Sequence, residues 1–293
     1  MDHSSLIKSP ISEELEDFKE LFESSLSSSN LLLNSVIAHI RQKNGKMMRP
    51  ILVLLSAKLY GNVCPATLHA AVSLELLHNA SLVHDDVVDE STERRGQLSV
   101  NAIFNNKVAV LSGDFLLATA LVQVAMTRNH DIIGIVSALG RDLADGELLQ
   151  LSNVSNPQFS ETVYFDVIRK KTAVLFAACT KAGALSVGAD AEKVELARLF
   201  GEYVGLCFQI KDDIFDYFDS KEIGKPTGND MSEGKLTLPV LHVLNTVKDE
   251  AMRELAVRVK NGQAASDEIA RLIKFTKQHG GIEYALQTMY AYK

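Results

Sequence analysis

Apolar residues recur at intervals of three and four along almost the whole chain, with no sustained period-two alternation, and only six prolines in 293 residues interrupt the pattern. That spacing lays apolar side chains along one stripe of a helix, whereas a half-buried strand needs strict alternation. The chain therefore reads as all-α. Amphipathic helices are expected at roughly 12–28, 31–43, 48–60, 66–89, 108–127, 130–153, 160–187, 191–219, 236–247, 249–261, 264–278 and 280–293. No Gly/Ser linker, repeat or shift of composition separates them, so a single all-helical domain over residues 1–293 is expected, with the serines at Ser24 to Ser29 forming a helix–helix connection. Polar clusters gather in two loops, Ser91 to Gln97 and Ser220 to Lys235, each after an acidic helix end.

Hydrophobic residues make up 46% and charged residues 23%, a balance that favours a packed fold over disorder. Lys and Arg total 30 against 37 Asp and Glu, a formal charge of −7 with no basic tract, which argues against nucleic acid as a partner. Apolar runs such as Ile51 to Leu55 and Val108 to Leu111 are broken by charge or Gly, so no transmembrane helix is expected. Asp2 and His3 open a segment without a basic stretch leading into an apolar one, and the cytoplasm is the expected compartment. Cys64, Cys179 and Cys207 lack any metal-site spacing and read as buried reduced thiols.

Two acidic clusters carry the chemistry. Asp85, Asp86 and Asp89 stand at i, i+1 and i+4, and Asp212, Asp213 and Asp216 repeat that spacing. The first and last Asp of each set share a helix face, about 6 Å apart by rise, where like charges repel. A hard divalent cation relieves that repulsion, and magnesium is typically held by one or two carboxylates together with substrate phosphates. A solvated acidic face is the plain alternative for either cluster alone. Finding the spacing twice, among Leu82, Val83, Val87 and Val88 and among Ile210, Ile214, Phe215 and Phe218, points instead to acids lining a polar cavity. An EF-hand is excluded, because its acids alternate around a Gly.

Cations accompany both clusters. Lys46 and Arg49 precede the first within Gly45 to Pro50, Arg94 and Arg95 follow it, Lys171 and Thr172 interrupt an apolar helix, and Lys225 and Lys235 bracket the loop after the second cluster. Taken singly each reads as surface charge, yet Arg forks and Lys ammonium groups are what phosphate oxygens require. His78 lies seven residues before Asp85, and Gln209 shares the stripe of Asp212, Asp213 and Asp216. For His78, a core histidine bonded to a backbone carbonyl is the plain alternative.

In this order, GKxxRP, His78, DDxxD with RRG, Gly146 to Gln150, Lys171-Thr172, Phe208-Gln209 with DDxxD, and Gly234-Lys235, the sequence resembles the trans-isoprenyl diphosphate synthase (polyprenyl synthetase) family of medium- and long-chain type, from about residue 20 onward. The resemblance implies a bundle of long antiparallel helices around a deep central cavity, a homodimer, and a magnesium-dependent prenyltransferase that condenses isopentenyl diphosphate with an allylic diphosphate. It implies that Asp85, Asp89 and Asp212 ligate magnesium, with Asp86, Asp213 and Asp216 behind them. Arg94, Lys171, Lys225 and Lys235 would hold the allylic diphosphate, and Lys46, Arg49, His78 and Arg95 isopentenyl diphosphate, while Thr172 and Gln209 would aim dipoles at the allylic cation. Members of the family usually continue past the equivalent of Lys293, so a missing C-terminal segment is expected. The rivals are a farnesyl-length synthase, a class I terpene cyclase, which pairs DDxxD with a different second motif, and a non-catalytic partner subunit. The family places product length on the helix of the first motif, where Ala80 and Ser81 are small and Leu77 lies below them, implying a product of about twenty carbons or more, since farnesyl-length enzymes close the tunnel there with an aromatic ring.

Overall fold

The computed structural model describes residues 3–42, 47–94, 96–154, 159–218 and 227–293. Sixteen α-helices run through the described residues: α1 (His3–Lys8), α2 (Ser12–Ser25), α3 (Leu31–Arg41), α4 (Met48–Tyr60), α5 (Pro65–Val88), α6 (Val100–Phe104), α7 (Asn106–Met126), α8 (His130–Val154), α9 (Glu161–Ile168), α10 (Val174–Ser186), α11 (Ala191–Phe215), α12 (Asn229–Ser232), α13 (Leu238–Thr246), α14 (Glu250–Lys260), α15 (Ser266–Gln278) and α16 (Gly281–Ala291). The expected all-α class holds. Among the described residues, strand pairing is limited to β1 (Glu93–Arg94) against β2 (Gln97–Leu98), a two-residue antiparallel ladder closed through Gly96 at φ 71°. Helix starts follow capping rules. Asn30 Oδ1 accepts from the amides of Leu32 and Leu33 to open α3, Ser160 Oγ caps α9 and Asp249 caps α14.

Contacts gather the chain into two compact units, Met1–Arg141 with Leu175–Gly201, and Asp142–Val174 with Glu202–Lys293. The first is built on α5 and α7. Ala70, Ala71, Ala109, Gly113 and Ala120 are buried along them, so the two backbones run close. Ser73 Oγ donates to the Ala120 carbonyl (2.8 Å), and His69 pairs with Gln123 (2.7 Å). Among the described residues α7 is the one helix long and apolar enough to cross a membrane by length and composition, where the sequence had suggested that none would be. Lengthwise packing on α5 gives one face of α7, with Ala109, Leu116, Ala120 and Val124, a partner within the unit.

The second unit buries Ile168 of α9, Leu206, Ile210 and Ile214 of α11, Leu238 of α13 and Leu272 of α15 in one cluster. Each such side chain contributes about 1.5–3 kcal/mol on burial. The expected continuous helix over 160–187 is three pieces, because a five-residue π-turn, Arg169–Ala173, separates α9 from α10. Gly146 of α8 allows this, since a Cβ there would come within 3.0 Å of Lys170 Cβ. Of the three cysteines Cys179 is buried as expected, whereas Cys64 and Cys207 are half-buried free thiols.

In the first unit, α10 meets α4 at Gly183, where an added Cβ would overlap the Val53 carbonyl oxygen and stand 3.0 Å from Ser56 Cβ. Beside it Ser56 Oγ donates to the Thr180 carbonyl at 2.6 Å. Gly183→Ala is expected to lower the unfolding free energy by about 1–3 kcal/mol through overpacking. That loss would outweigh the ~1 kcal/mol helix-propensity gain of Ala over Gly. Urea denaturation followed by circular dichroism checks it, and an unchanged or raised midpoint would count against the packing described.

Candidate active site

The first acidic motif ends α5. Asp85 is half-buried, Asp89 exposed, and Asp86 between them only 3% exposed. Asp86 is held by its own chain, for the hairpin after the helix folds back and Arg94 Nε donates to its Oδ1 at 2.5 Å. Asn101 Nδ2 donates to the Asp86 carbonyl (3.2 Å) and to that of Ser91 (3.0 Å), pinning the turn. Burial pushes the Asp86 carboxyl above its usual value while the Arg94 guanidinium pulls it down. Below the motif Leu77, His78 and Ala80 are buried, and Ser81 donates its hydroxyl to the His78 carbonyl (2.9 Å). Arg49 lies half-buried in the first turn of α4. Lys46, Arg95 and Lys225 lie outside the described residues.

The second motif, in the second unit, divides in the same way. Asp212 is exposed, while Asp213 is 3% exposed and receives two donors: Tyr164 Oη on Oδ2 at 2.5 Å and Gln209 Nε2 on Oδ1 at 2.8 Å. Thr172 Oγ1 in turn donates to Gln209 Oε1 at 2.7 Å. Asp216 accepts from the amides of Asn229 (3.0 Å) and Asp230 (3.1 Å), so it caps the short helix α12 and fixes the chain leading to Gly234 and Lys235. Gly234 takes φ +77°, with the Lys260 carbonyl 3.0 Å from where a Cβ would be.

Cations near this motif are balanced by neighbours. Lys171 Nζ lies 2.5 Å from Glu147 Oε1 and donates to Gln150 Oε1 at 3.3 Å, both brought to the π-turn by the close approach at Gly146. Lys235 Nζ pairs with Glu233 at 2.6 Å. A cavity of about 200 Å³ lies among Tyr164, Lys171, Thr172, Gln209, Asp213 and Lys235, with Asp230 and Lys260 also in its wall. Burial, above all, raises Asp213 to about 7 against the hydrogen bonds of Tyr164 and Gln209. Burial and then the charges of Asp213 and Asp216 raise Asp230 to about 8. The Tyr164 hydroxyl is pushed well up by burial and by Asp213, and burial lowers Lys260.

The structure thus joins Thr172, Gln209 and Asp213 in one network and brings Lys171 and Lys235 to one cavity. It adds three residues that the sequence reading passed over, Tyr164, Asp230 and Lys260. Tyr164 stands seven residues before Lys171, a helical spacing that was the available signal. Asp230 sits in a loop, and Lys260 at a helix end looks like any cation favouring the dipole there.

No three His, Cys, Asp or Glu side chains among the described residues converge to cage a metal. Carboxylate oxygens at Asp85 and Asp89 in the first unit, and at Asp212 in the second, are each the kind of donor a hard divalent cation takes alongside phosphate and water. Residues 30–276 match the family described as polyprenyl synthetase. An octaprenyl diphosphate synthase of Haemophilus influenzae is 36% identical over 264 residues, spanning 89% of this chain and 79% of that protein. The crystal structure of geranylgeranyl pyrophosphate synthase from Bacteroides thetaiotaomicron is 65% identical, with a TM-score of 0.88 over 100% of this chain and 90% of the other. Polyprenyl synthase from Caulobacter crescentus, crystallised with calcium and isoprenyl diphosphate, is 32% identical, with a TM-score of 0.92 over 99% of this chain and 88% of the other. With its helices, both acidic motifs and these likenesses in agreement, the chain belongs to the polyprenyl synthetase family of prenyltransferases.

Proposed function

We propose that the chain adds isopentenyl diphosphate head to tail to an allylic diphosphate, with magnesium at its acidic motifs, and releases a linear polyprenyl diphosphate of twenty carbons or more. The observation that carries this is the division of labour within each motif. The middle carboxylate is buried and satisfied by protein donors, while Asp89 of the first motif and Asp212 of the second are exposed. Asp85, Asp89 and Asp212 would hold magnesium, with Asp86, Asp213 and Asp216 fixing the backbone around them. The divalent ion is supported by the calcium found with isoprenyl diphosphate in the Caulobacter crescentus protein. When bound, magnesium would offset charge on the departing diphosphate, Lewis-acid help worth several kcal/mol.

Arg94, Lys171 and Lys235, with Lys225, hold the allylic diphosphate. Lys171 and Lys235 reach it by exchanging a carboxylate partner for phosphate oxygens, and half-exposed ion pairs of this kind are cheap to exchange, worth about 0–1 kcal/mol. Arg94 keeps Nε on Asp86 and turns the rest of its fork to the phosphate. Lys46, Arg49, His78 and Arg95 hold isopentenyl diphosphate. As the allylic carbon–oxygen bond breaks, Thr172 and Gln209 set their dipoles toward the forming cation, and the isopentenyl double bond attacks it. The proton released passes to the diphosphate, so no protein nucleophile is needed. Ala80 and Ser81 leave room for the growing chain beside α5, and Leu77 lies further down that path.

A second copy of the chain is the proposed partner. Leu111, Leu121, Val122 and Met126 form an exposed apolar stripe on the face of α7 turned away from α5. The cytoplasm is the proposed compartment, in keeping with three free thiols.

Purified protein given magnesium, labelled isopentenyl diphosphate and allylic primers should make a product of at least about twenty carbons, and excess chelator should abolish it. Asp85→Ala and Asp212→Ala are expected to cut kcat at least about a hundredfold with unchanged circular dichroism. Full turnover in chelator would reject the metal assignment. Ala80→Phe should shorten the product to about fifteen carbons by blocking the channel. Chromatography showing a parent product already of that length would reject the tunnel argument.

A further inference from the structure

We infer that Tyr164 is a positioning residue that fixes the polarity of Thr172 through Asp213 and Gln209, an inference that rests on the condensation proposed above. The relay starts from the carboxylate. Asp213 Oδ2 is taken by the Tyr164 hydroxyl, which leaves Oδ1 to accept from Gln209, and the Gln209 amide turns Nε2 toward it at 2.8 Å. Oε1 of Gln209 then points at Thr172 and can only accept, so the Thr172 hydroxyl must spend its proton there, at 2.7 Å. What Thr172 offers the cavity is therefore lone pairs, the correct sign for a neighbouring carbocation, whereas a freely rotating hydroxyl would present its hydrogen part of the time. Every proton in the relay points inward to Asp213.

Tyr164 sets the starting point. Its ring is 7% exposed, and its hydroxyl donates to Oδ2 at 2.5 Å, the oxygen that Gln209 does not use. Between them the two donors fix the carboxylate plane and leave Gln209 a single orientation. α9 carries Tyr164 and the π-turn that follows carries Thr172, so both ends of the relay belong to one short stretch of chain, and both line the same cavity beside Lys171.

Steady-state kinetics of the full-length protein with magnesium, isopentenyl diphosphate and an allylic diphosphate test this on the parent, Tyr164→Phe, Thr172→Val, their double variant and Asp213→Asn. Tyr164→Phe should lower kcat by roughly tenfold or more while both KM values stay within about twofold, because it removes a dipole contribution felt by the transition state alone. The double variant should be no slower than Thr172→Val, since both changes disable one relay. Asp213→Asn keeps the shape but offers an N–H to Gln209, which flips that amide and turns the Thr172 hydrogen outward. It should also lower kcat tenfold or more, and it tests the relay without altering Tyr164. Calorimetric binding of an unreactive allylic diphosphate analogue should be the same for parent and Tyr164→Phe. Parental kcat in Tyr164→Phe, a matching rise in both KM values, or losses that multiply in the double variant would overturn the proposal while leaving the condensation intact. An inactive parent would overturn the condensation and this proposal together.

Discussion

The surroundings of each acidic motif depend on how its middle carboxylate is held. A helix that presents two adjacent acids cannot leave both in water-like surroundings when one face is buried, and an unpaired buried charge is among the most expensive features a fold can contain. The chain answers differently in the two motifs. Asp86 receives a guanidinium from a hairpin eight residues on, and Asp213 receives a phenol and an amide. In both cases the same bond that removes the cost also orients the local backbone, so Asp89 and Asp212 are left exposed on a helix whose rotation is set.

The net charge of −7 makes the molecule as a whole a poor attractor for a polyanion. Local arrangement compensates. Lys171 and Lys235 sit opposite glutamates, which keep these cations in the wall of a cavity that also contains Asp213 and Asp230. An ammonium already stripped of part of its hydration would give up less on meeting phosphate than one fully in water, and under the proposed function the displaced glutamates would return to solvent. The elevated values of Asp213 and Asp230 have the same origin, several acids crowded where water is scarce.

Much of this was legible in the sequence. The long helices follow from apolar spacing, and α3, α4, α5 and α8 fall within a few residues of expectation, because burying a continuous stripe leaves little freedom in where a helix runs. The acidic motifs were legible for the opposite reason, as charges that break such a stripe. What escaped was structure held by side-chain-to-backbone bonds. α12 exists because Asp216 caps it, and the hairpin turn is pinned by Asn101, and neither bond has a period. Tyr164 escaped because an aromatic on an apolar face looks like core until its hydroxyl is seen to reach Asp213. Small residues told only part of their meaning. Gly146 was visible as a motif member, but the backbone approach that requires it was not.

The π-turn at Arg169–Ala173 has a consequence for how this stretch of chain can vary. A π-turn is in effect one residue more than a regular helix would use over the same length. Deleting that residue would rewind the segment as an α-helix with α9 and α10 still in phase, so the change would fall on the turn itself, which carries Lys171 and Thr172. Lys171 and Thr172 could not then keep their present partners while Tyr164 kept Asp213. The number of residues between Tyr164 and Thr172 is therefore as much a part of the site as their identities, and natural variation here should take the form of exchanged side chains with the length held constant.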